Sequence, residues 1–438
     1  MLSPVKPLNA SIRERDLQYV FHSWSAQSNL DPLVIAGGEG CYLWDYEGRK
    51  FLDFSSQLIN TNIGHQHPKV VAAIQQQAAQ LCTIAPAVAN EARAKAAELI
   101  VNLAPAGFKK VFFTNGGADA NENAMRMARQ VTGRRKILSA YRSYHGNTGA
   151  AIVATGDPRR VPNEFAQGHV HFFNPYLYRT EFHATNAQEE CSRALQHLRR
   201  VIECEGPAAI AAILLESVPG TAGILVPPAG YMQGVRALAD EFGIMLILDE
   251  VMAGFGRTGE WFALSHFGVV PDLITFAKGV NSGYVPAGGV LVSEKVDAFF
   301  QDRMFPGGLT YSGHPLAMAA IVATIEAMQD EDIVGNVQRL GASVLEPGVR
   351  ALAARHAVIG EVRGLGYFWA LELVTDRSTR QPLNAAQMGR LKAALLARNL
   401  LCFIVDNRIH LAPPCIAGET ELRDGLAILD EVLGSFTL

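Results

Sequence analysis

The sequence predicts an α/β protein: a mostly parallel sheet covered by helices on both faces, joined to a smaller α+β unit. Three observations support that class. Short apolar runs near 110–114, 136–138, 151–154, 169–173, 209–215, 244–248, 273–276 and 287–292 alternate with helical stretches such as 90–103 and 119–132. That rhythm belongs to a sheet built from strand–helix–strand units. Two of the runs stop at an ionisable side chain, 244–248 at Asp249 and 273–277 at Lys278. Buried strands end this way when they deliver polar groups to a site at their carboxyl ends. After Gly313-His314-Pro315 the pattern changes to a long helical region broken near 328–333. A strand at 366–373, a helix around 384–398, strands at 401–405 and 409–411, and a last helix near 419–434 follow. The implied division is an amino-terminal segment with part of the small unit (1–60), a large unit (61–315) and a carboxyl-terminal small unit (316–438).

Residues 1–30 mix aromatic and polar groups, among them Tyr19, Phe21, His22 and Trp24. Such a tail is either an arm lying over a site or an edge helix. Two short apolar stretches, 40–45 and 49–54, flank Tyr46-Glu47-Gly48 and read as an antiparallel hairpin with a glycine-containing loop. Pro68 opens a helix over about 69–81. From residue 90 the strand–helix alternation takes over, without an internal repeat or a low-complexity linker.

Composition narrows the function. The chain has 438 residues, 49% of them apolar, which supports a sizeable core and argues against global disorder. A formal net charge of -4 offers no electrostatic footprint for nucleic acid or an acidic membrane. The longest apolar stretch, near 208–215, is too short to span a bilayer. The six cysteines are scattered, with no C-x-x-C pair and no histidine at metal spacing, so free thiols in a reducing compartment are expected and no metal. The polar start of the chain lacks an apolar signal core, and the cytoplasm is the expected location.

A carboxylate and an amine at neighbouring strand ends suit pyridoxal phosphate chemistry. Lys278 would form the Schiff base, and Asp249 would keep the pyridine nitrogen protonated so that the ring accepts electrons. Four further pieces fall between elements. Thr114-Asn115-Gly116-Gly117-Ala118-Asp119 is by itself an ordinary strand-to-helix turn, yet its glycines and free N–H groups suit a phosphate. Tyr144, in Tyr144-His145-Gly146, is either a stacking ring or a partly buried aromatic, and His145 read alone is a structural histidine. Glu216 ends the run 209–215 and either serves the site or caps a loop. Thr310, in the glycine-rich loop 307–315, offers a hydroxyl to phosphate or simply turns the chain. Gly254-Phe255-Gly256-Arg257-Thr258-Gly259 matches the dinucleotide fingerprint G-x-G-x-x-G, but five residues separate it from its strand and no second acid-ended strand follows at the right distance.

Together these strings resemble the class III, or ω-, aminotransferases. The match runs through Leu248-Asp249-Glu250-Val251-Met252-Ala253-Gly254-Phe255-Gly256-Arg257-Thr258-Gly259, Pro271-Asp272-Leu273 and Ala277-Lys278-Gly279, and extends from about residue 35 to the end. The resemblance implies the aspartate-aminotransferase fold: a large domain with a mostly parallel seven-stranded sheet over 61–315 that binds pyridoxal 5'-phosphate, plus the smaller α+β domain. It implies that Lys278 holds the cofactor, that Asp249 meets the pyridine nitrogen and that Val251 and Tyr144 cover the two ring faces. His145 and Glu216 join the cofactor site, Gly117 and Ala118 give N–H groups to the phosphate, and Thr310 reaches the neighbouring subunit's phosphate. A homodimer or dimer of dimers with shared sites follows. Two departures stand out. The serine-containing phosphate turn common in the family is here Gly116-Gly117-Ala118-Asp119, and the arginine often found about ten residues before Pro413-Pro414 is Phe403, with Arg408 the nearest substitute.

The expected reaction moves an amino group from an ω-amino acid or amine to pyruvate or 2-oxoglutarate in a ping-pong cycle, with Lys278 as the proton carrier. Trp24, Leu58, Ile59 and Tyr311 are candidates for an apolar donor pocket. Aminomutase and decarboxylating transaminase chemistry use the same scaffold, and a nucleotide-binding dehydrogenase is the distant alternative.

Overall fold

The computed structural model describes residues 7–437; residues 1–6, part of the amino-terminal stretch anticipated as polar, lie outside the described residues. After a helix, Leu8–Tyr19, come strands β1 (Gly37–Glu39), β2 (Tyr42–Trp44) and β3 (Lys50–Asp53), the anticipated hairpin lying between β2 and β3. Next come β4 (Phe108–Thr114), β5 (Lys136–Ala140), β6 (His169–Phe172) and β7 (Ile210–Glu216). They are followed by β8 (Met245–Asp249), β9 (Leu273–Phe276) and β10 (Gly288–Ser293). The last group is β11 (Ile359–Leu365), β12 (Phe368–Asp376), β13 (Gln381–Pro382), β14 (Leu400–Leu401), β15 (Phe403–Val405) and β16 (Arg408–Leu411).

The central sheet has seven strands in the order β4-β10-β9-β8-β7-β5-β6. β10 runs antiparallel to both of its neighbours, and every other pair is parallel. β7, β8 and β9 are buried along their whole length, which is why they read as unbroken apolar runs rather than alternating ones. The pleat still sorts their side chains. β8 sends Met245 and Ile247 into the cluster under helix Gly117–Thr132, and Leu246 and Leu248 into the larger cluster on the opposite face. Helices Glu91–Leu103, Ala187–Glu205 and Tyr231–Phe242 fill that opposite face with Ile100, Leu198 and Val235.

A four-stranded sheet, β1-β2-β3-β14, sets Leu400 and Leu401 parallel to Leu52 and Asp53. A further sheet, β11-β12-β16-β15 with β13 on β12, carries Glu372 opposite Arg408 and Ala370 opposite His410. Helix Pro315–Asp330 ties the two cores together: Met318, Ile321 and Ile325 join the large cluster, while Ala320, Ala323 and Met328 join the small one. Among the described residues no helix is long and apolar enough to cross a membrane.

Two elements differ from the sequence reading. Residues 151–154, expected as a strand, lie in helix Gly149–Ala154. A short apolar run does not distinguish the two states. Here Glu122 decides it, accepting hydrogen bonds from the amides of Ala150 (2.5 Å) and Ala151 (3.0 Å) and from the Thr148 hydroxyl (2.9 Å), an acidic anchor at a helix start. β11, which no apolar run announced, pairs with β12 from Ile359 to Leu365.

The glycine-rich string 254–259 is a buried turn, closed by Phe255 N–H to Trp261 C=O (2.6 Å) and Gly256 N–H to Glu260 C=O (3.1 Å). It opens no helix, so it presents no N-terminus to a pyrophosphate, and the dehydrogenase alternative loses its only support.

Candidate active site

The register of the central sheet builds the site. Glu216 at the end of β7 pairs with Asp249 at the end of β8, which pairs with Thr275 on β9. Two residues past β9, Lys278 turns the chain with φ of 48°, a left-handed conformation that a non-glycine residue holds only where its surroundings impose it. The carboxyl ends of three buried strands thus open on one cavity of about 420 Å³. Gly117, Ala118, Tyr144, His145, Glu216, Asp249, Val251 and Lys278 all line it, as does Leu58.

Asp249 is held from behind. Its Oδ2 accepts from Asn121 Nδ2 and His145 Nδ1, both at 2.8 Å, and its Oδ1 accepts from the Val251 amide at 3.0 Å. Asn121 is itself fixed by the Thr275 hydroxyl (2.8 Å) and by its own bond to the His145 carbonyl. A carboxylate offers about four lone-pair directions, so three donors leave one for a further partner. Glu216 accepts from the amides of Tyr144 (3.1 Å) and Gly220 (2.8 Å), pinning the loop that carries the Tyr144 ring.

Charge inside the cavity is perturbed by burial. Desolvation pushes the Lys278 amine below the ordinary lysine range, against the opposing pull of Asp249 and Glu216; the cations Arg159 and Arg257 push it the same way as burial. Burial likewise raises the Glu216 carboxyl above the usual range. The Lys278 amine makes no hydrogen bond or ion pair among the described residues, which leaves it available to a ligand.

The walls fit the anticipated cofactor. Helix Gly117–Thr132 starts beside the cavity with no side-chain cap, so its first-turn N–H groups are free for a phosphate. A Cβ on Gly116 would meet nothing within 4 Å, whereas one on Gly117 would lie 2.8 Å from Val251 Cγ2. The turn is therefore open on one side and packed against the Val251 clamp on the other. Tyr144 has one ring face covered by the Arg159 guanidinium at 3.9 Å, leaving the other for a planar partner.

Five sequence candidates fall outside this cavity. Ile59 is buried in an apolar cluster with Val218, Ile224 and Phe368 and does not line it, so it contributes packing rather than a pocket surface. Thr310 and Tyr311 are exposed and line no described cavity of this chain. Trp24 and Arg408 line a separate, larger cavity, with Phe403 also on its wall. Two residues escaped the sequence reading. Asn121 sits inside a helix with no outward sign of its polar role, and Arg159 lies in Asp157-Pro158-Arg159-Arg160, a charged stretch that reads as a solvated loop.

Comparison with known proteins agrees with this geometry. A family model described as aminotransferase class III matches residues 24–433. A taurine–pyruvate aminotransferase of Bilophila wadsworthia is 34% identical, with 95% of each chain covered. A 5-aminovalerate aminotransferase of Pseudomonas aeruginosa is 36% identical over 92% of this chain and 93% of its own. Among solved structures, taurine:2-oxoglutarate aminotransferase from Bifidobacterium kashiwanohense, in complex with PLP and glutamate, superposes with a TM-score of 0.94 at 42% identity, covering 98% of both chains.

Proposed function

The chain belongs to the class III aminotransferases, pyridoxal-phosphate-dependent enzymes that pass an amino group to a 2-oxo acid, and on that premise we propose which of its residues serve the reaction. The observation that carries the assignment is the meeting of Lys278, Asp249 and an uncapped helix start on one cavity wall. When bound, the cofactor supplies an electrophilic carbon for the amine and an electron-accepting ring.

Lys278 would hold the cofactor, and its Nζ would carry the donor's α-proton from the donor carbon to the cofactor carbon. Burial favours this by keeping the amine less basic than an exposed lysine. Asp249 would give its remaining lone pair to the protonated ring nitrogen, while Asn121 and His145 stop the carboxylate from rotating away. Val251 and Tyr144, both on the cavity wall, would cover the two faces of the ring. Glu216 keeps Tyr144 in place through its backbone amide. The amides of Gly117 and Ala118 receive the phosphate.

Thr310 and Tyr311 complete the site from a second copy of the chain, in a homodimer or dimer of dimers; their exposure here supports that reading. The part of the chain over 61–315 binds the cofactor, and 1–60 with 316–438 forms the smaller unit, supported by the pairing of β14 with β3. Six free cysteines fit a cytoplasmic enzyme.

The donor in this reading is an ω-amino acid or related amine, and the acceptor pyruvate or 2-oxoglutarate. Lys278→Ala tests the core of the proposal. The variant is expected to fold and retain cofactor without a covalent link to the protein, yet to show no turnover and no conversion of the cofactor to its amine form when donor is added. Measurable turnover would remove Lys278 from its role.

A further inference from the structure

Two stretches of the chain are exposed and stand apart from its own cofactor cavity. The first, Ile84-Ala85-Pro86-Ala87-Val88-Ala89, is apolar throughout, and all of 85–89 is open to solvent. The second is the glycine-rich loop 307–315, where Thr310 and Tyr311 are exposed. Neither stretch lines the cavity that carries Lys278. An apolar segment and an aromatic ring left bare in this way mark a surface that meets another protein surface.

One side chain fastens both stretches. Arg93 stands in the first turn of helix Glu91–Leu103, its amide received by the side chain of the cap residue Asn90 at 2.9 Å. Its Nη1 donates to the carbonyls of Pro86 (2.9 Å) and Val88 (2.8 Å), and its Nε to the carbonyl of Gly313 (3.0 Å), 220 residues away in sequence. No acid pairs with Arg93 among the described residues, and its Nη2 is enclosed without a partner. Keeping a cation here without a counter-ion costs free energy, which the main-chain carbonyls offset. Arginine suits the task and lysine does not, because a planar fork can hold acceptors on two segments in one geometry.

The fit at the loop is close. Gly313 has φ of 64°, and a Cβ there would lie 2.2 Å from Arg93 Nε, so the turn and the bridge both require glycine. The Ser312 hydroxyl adds a second anchor, donating to the Phe113 carbonyl of β4 at 2.8 Å. Two turn hydrogen bonds, Ser312 N–H to Leu309 C=O (3.1 Å) and His314 N–H to Tyr311 C=O (3.2 Å), carry these anchors on to Thr310.

We propose that Arg93 is a positioning residue that acts in trans: it makes 85–89 and 309–313 one unit, and so places the Thr310 hydroxyl on the phosphate held by the neighbouring copy of the chain. This role rests on the reading of Thr310 as part of the second copy's site, and adds the residue that sets its reach.

The test reads binding rather than turnover. Homodimers and mixed dimers are purified from co-expressed chains with different affinity tags. Bound cofactor is then fixed to Lys278 with borohydride, so that only sites with the lysine are counted. In the Arg93→Met homodimer, affinity for pyridoxal 5'-phosphate is expected to fall about tenfold, as when a charge-assisted hydrogen bond is lost, while affinity for pyridoxal, which has no phosphate, stays within about twofold. Arg93→Lys, with its charge kept and fewer carbonyls in reach, is expected to fall between variant and parent. In a dimer of Arg93→Met with Lys278→Ala, the site that keeps its lysine receives Thr310 from the chain with intact Arg93. Its affinity is expected to return to the parent's. Unchanged affinity for pyridoxal 5'-phosphate in Arg93→Met, an equal loss for both forms of the cofactor, or no recovery in the mixed dimer overturns the proposal. Loss of the dimer in both Arg93 variants overturns it as well, since Arg93 would then serve assembly. Thr310→Val separates the two readings: unchanged affinity in its homodimer, or no recovery when paired with Lys278→Ala, would overturn the shared site itself.

Discussion

Replacing Arg257 by methionine tests how the floor of the cofactor cavity is held. Arg257 is fully buried, and among the described residues it has no ion-pair partner. Its Nη1 donates to the carbonyls of Pro413 and Tyr367, and its Nη2 to Ser56 Oγ (3.1 Å) and Asn62 Oδ1 (2.8 Å). Ser56 begins a strained turn, with Ser56, Gln57 and Ile59 all at positive φ, that puts Leu58 and Asn60 on the cavity wall. Asn62 packs beneath the Lys278 turn so closely that a Cβ on Gly279 would lie 2.4 Å from its Nδ2. Methionine fills the volume of the arginine stem but leaves four acceptors without their donor. Removing one member of a buried, hydrogen-bonded charged arrangement costs about 3–5 kcal/mol. Unfolding entropy of about 2.1 cal/mol/K per residue gives roughly 0.9 kcal/mol/K for the whole 438-residue chain, so Tm should fall by about 3–6 °C. Scanning calorimetry on the cofactor-free protein measures this. Arg257→Lys, which keeps the charge but reaches fewer acceptors, is expected to fall between variant and parent. Cofactor affinity should weaken alongside, because the Lys278 turn loses its support. A Tm within 1 °C of the parent and unchanged cofactor affinity would refute the reasoning.

Two other perturbations probe the site from different sides. Gly117→Ala adds a methyl group 2.8 Å from Val251 Cγ2 and should push that side chain into the ring space, weakening cofactor binding about tenfold in an absorbance titration; unaltered affinity would show that Val251 can yield. Burial pushes the Glu250 carboxyl up to about 7 from 4.5, so between these values the folded chain holds a proton that the unfolded chain releases. Stability from this group is therefore greatest at and below pH 4.5, falls as pH rises through that window and levels off above 7, by up to roughly 3 kcal/mol. In urea titrations of the cofactor-free protein, Glu250→Gln should lack that part of the slope, and parallel pH profiles for parent and variant would count against it.

Which features the sequence disclosed depends on how locally each is encoded. β7, β8 and β9 are buried on both faces, so their apolar runs and their polar ends at Glu216, Asp249 and Lys278 stand out without any tertiary information. β11 was invisible because Gly360, Glu361, Arg363 and Gly364 interrupt it; its strand state comes from pairing with β12, and its charges are absorbed by Glu372 and by each other. The strand assigned to 151–154 failed for a related reason, since the carboxylate that turns those residues into a helix start is Glu122, remote in sequence. Ile59 looked like a pocket residue because an apolar side chain beside a polar turn gives no sign of the direction it faces. Arg159 was missed because only the folded chain lays it over Tyr144.

The distribution of charge between the two cavities bears on why a donor should be an ω- rather than an α-amino acid. The inner cavity carries Glu216 and Asp249 beside Lys278, and the outer one, which Trp24 also lines, carries Arg142, Arg159, Arg179 and Arg408. An ω-amino acid brings an ammonium at one end and an anion at the other, so the two cavities orient it with its amine toward Lys278. An α-amino acid, the product of the second half-reaction, has both charged groups on one carbon and so gains less from the separation of the two cavities. The 2-oxo acid that follows has no ammonium, and its carboxylate gains only from the outer cations. The outer arginines would face the anionic end in both halves of the cycle, while Asp249 and Glu216 are already engaged by Asn121, His145 and the amides of Tyr144 and Gly220.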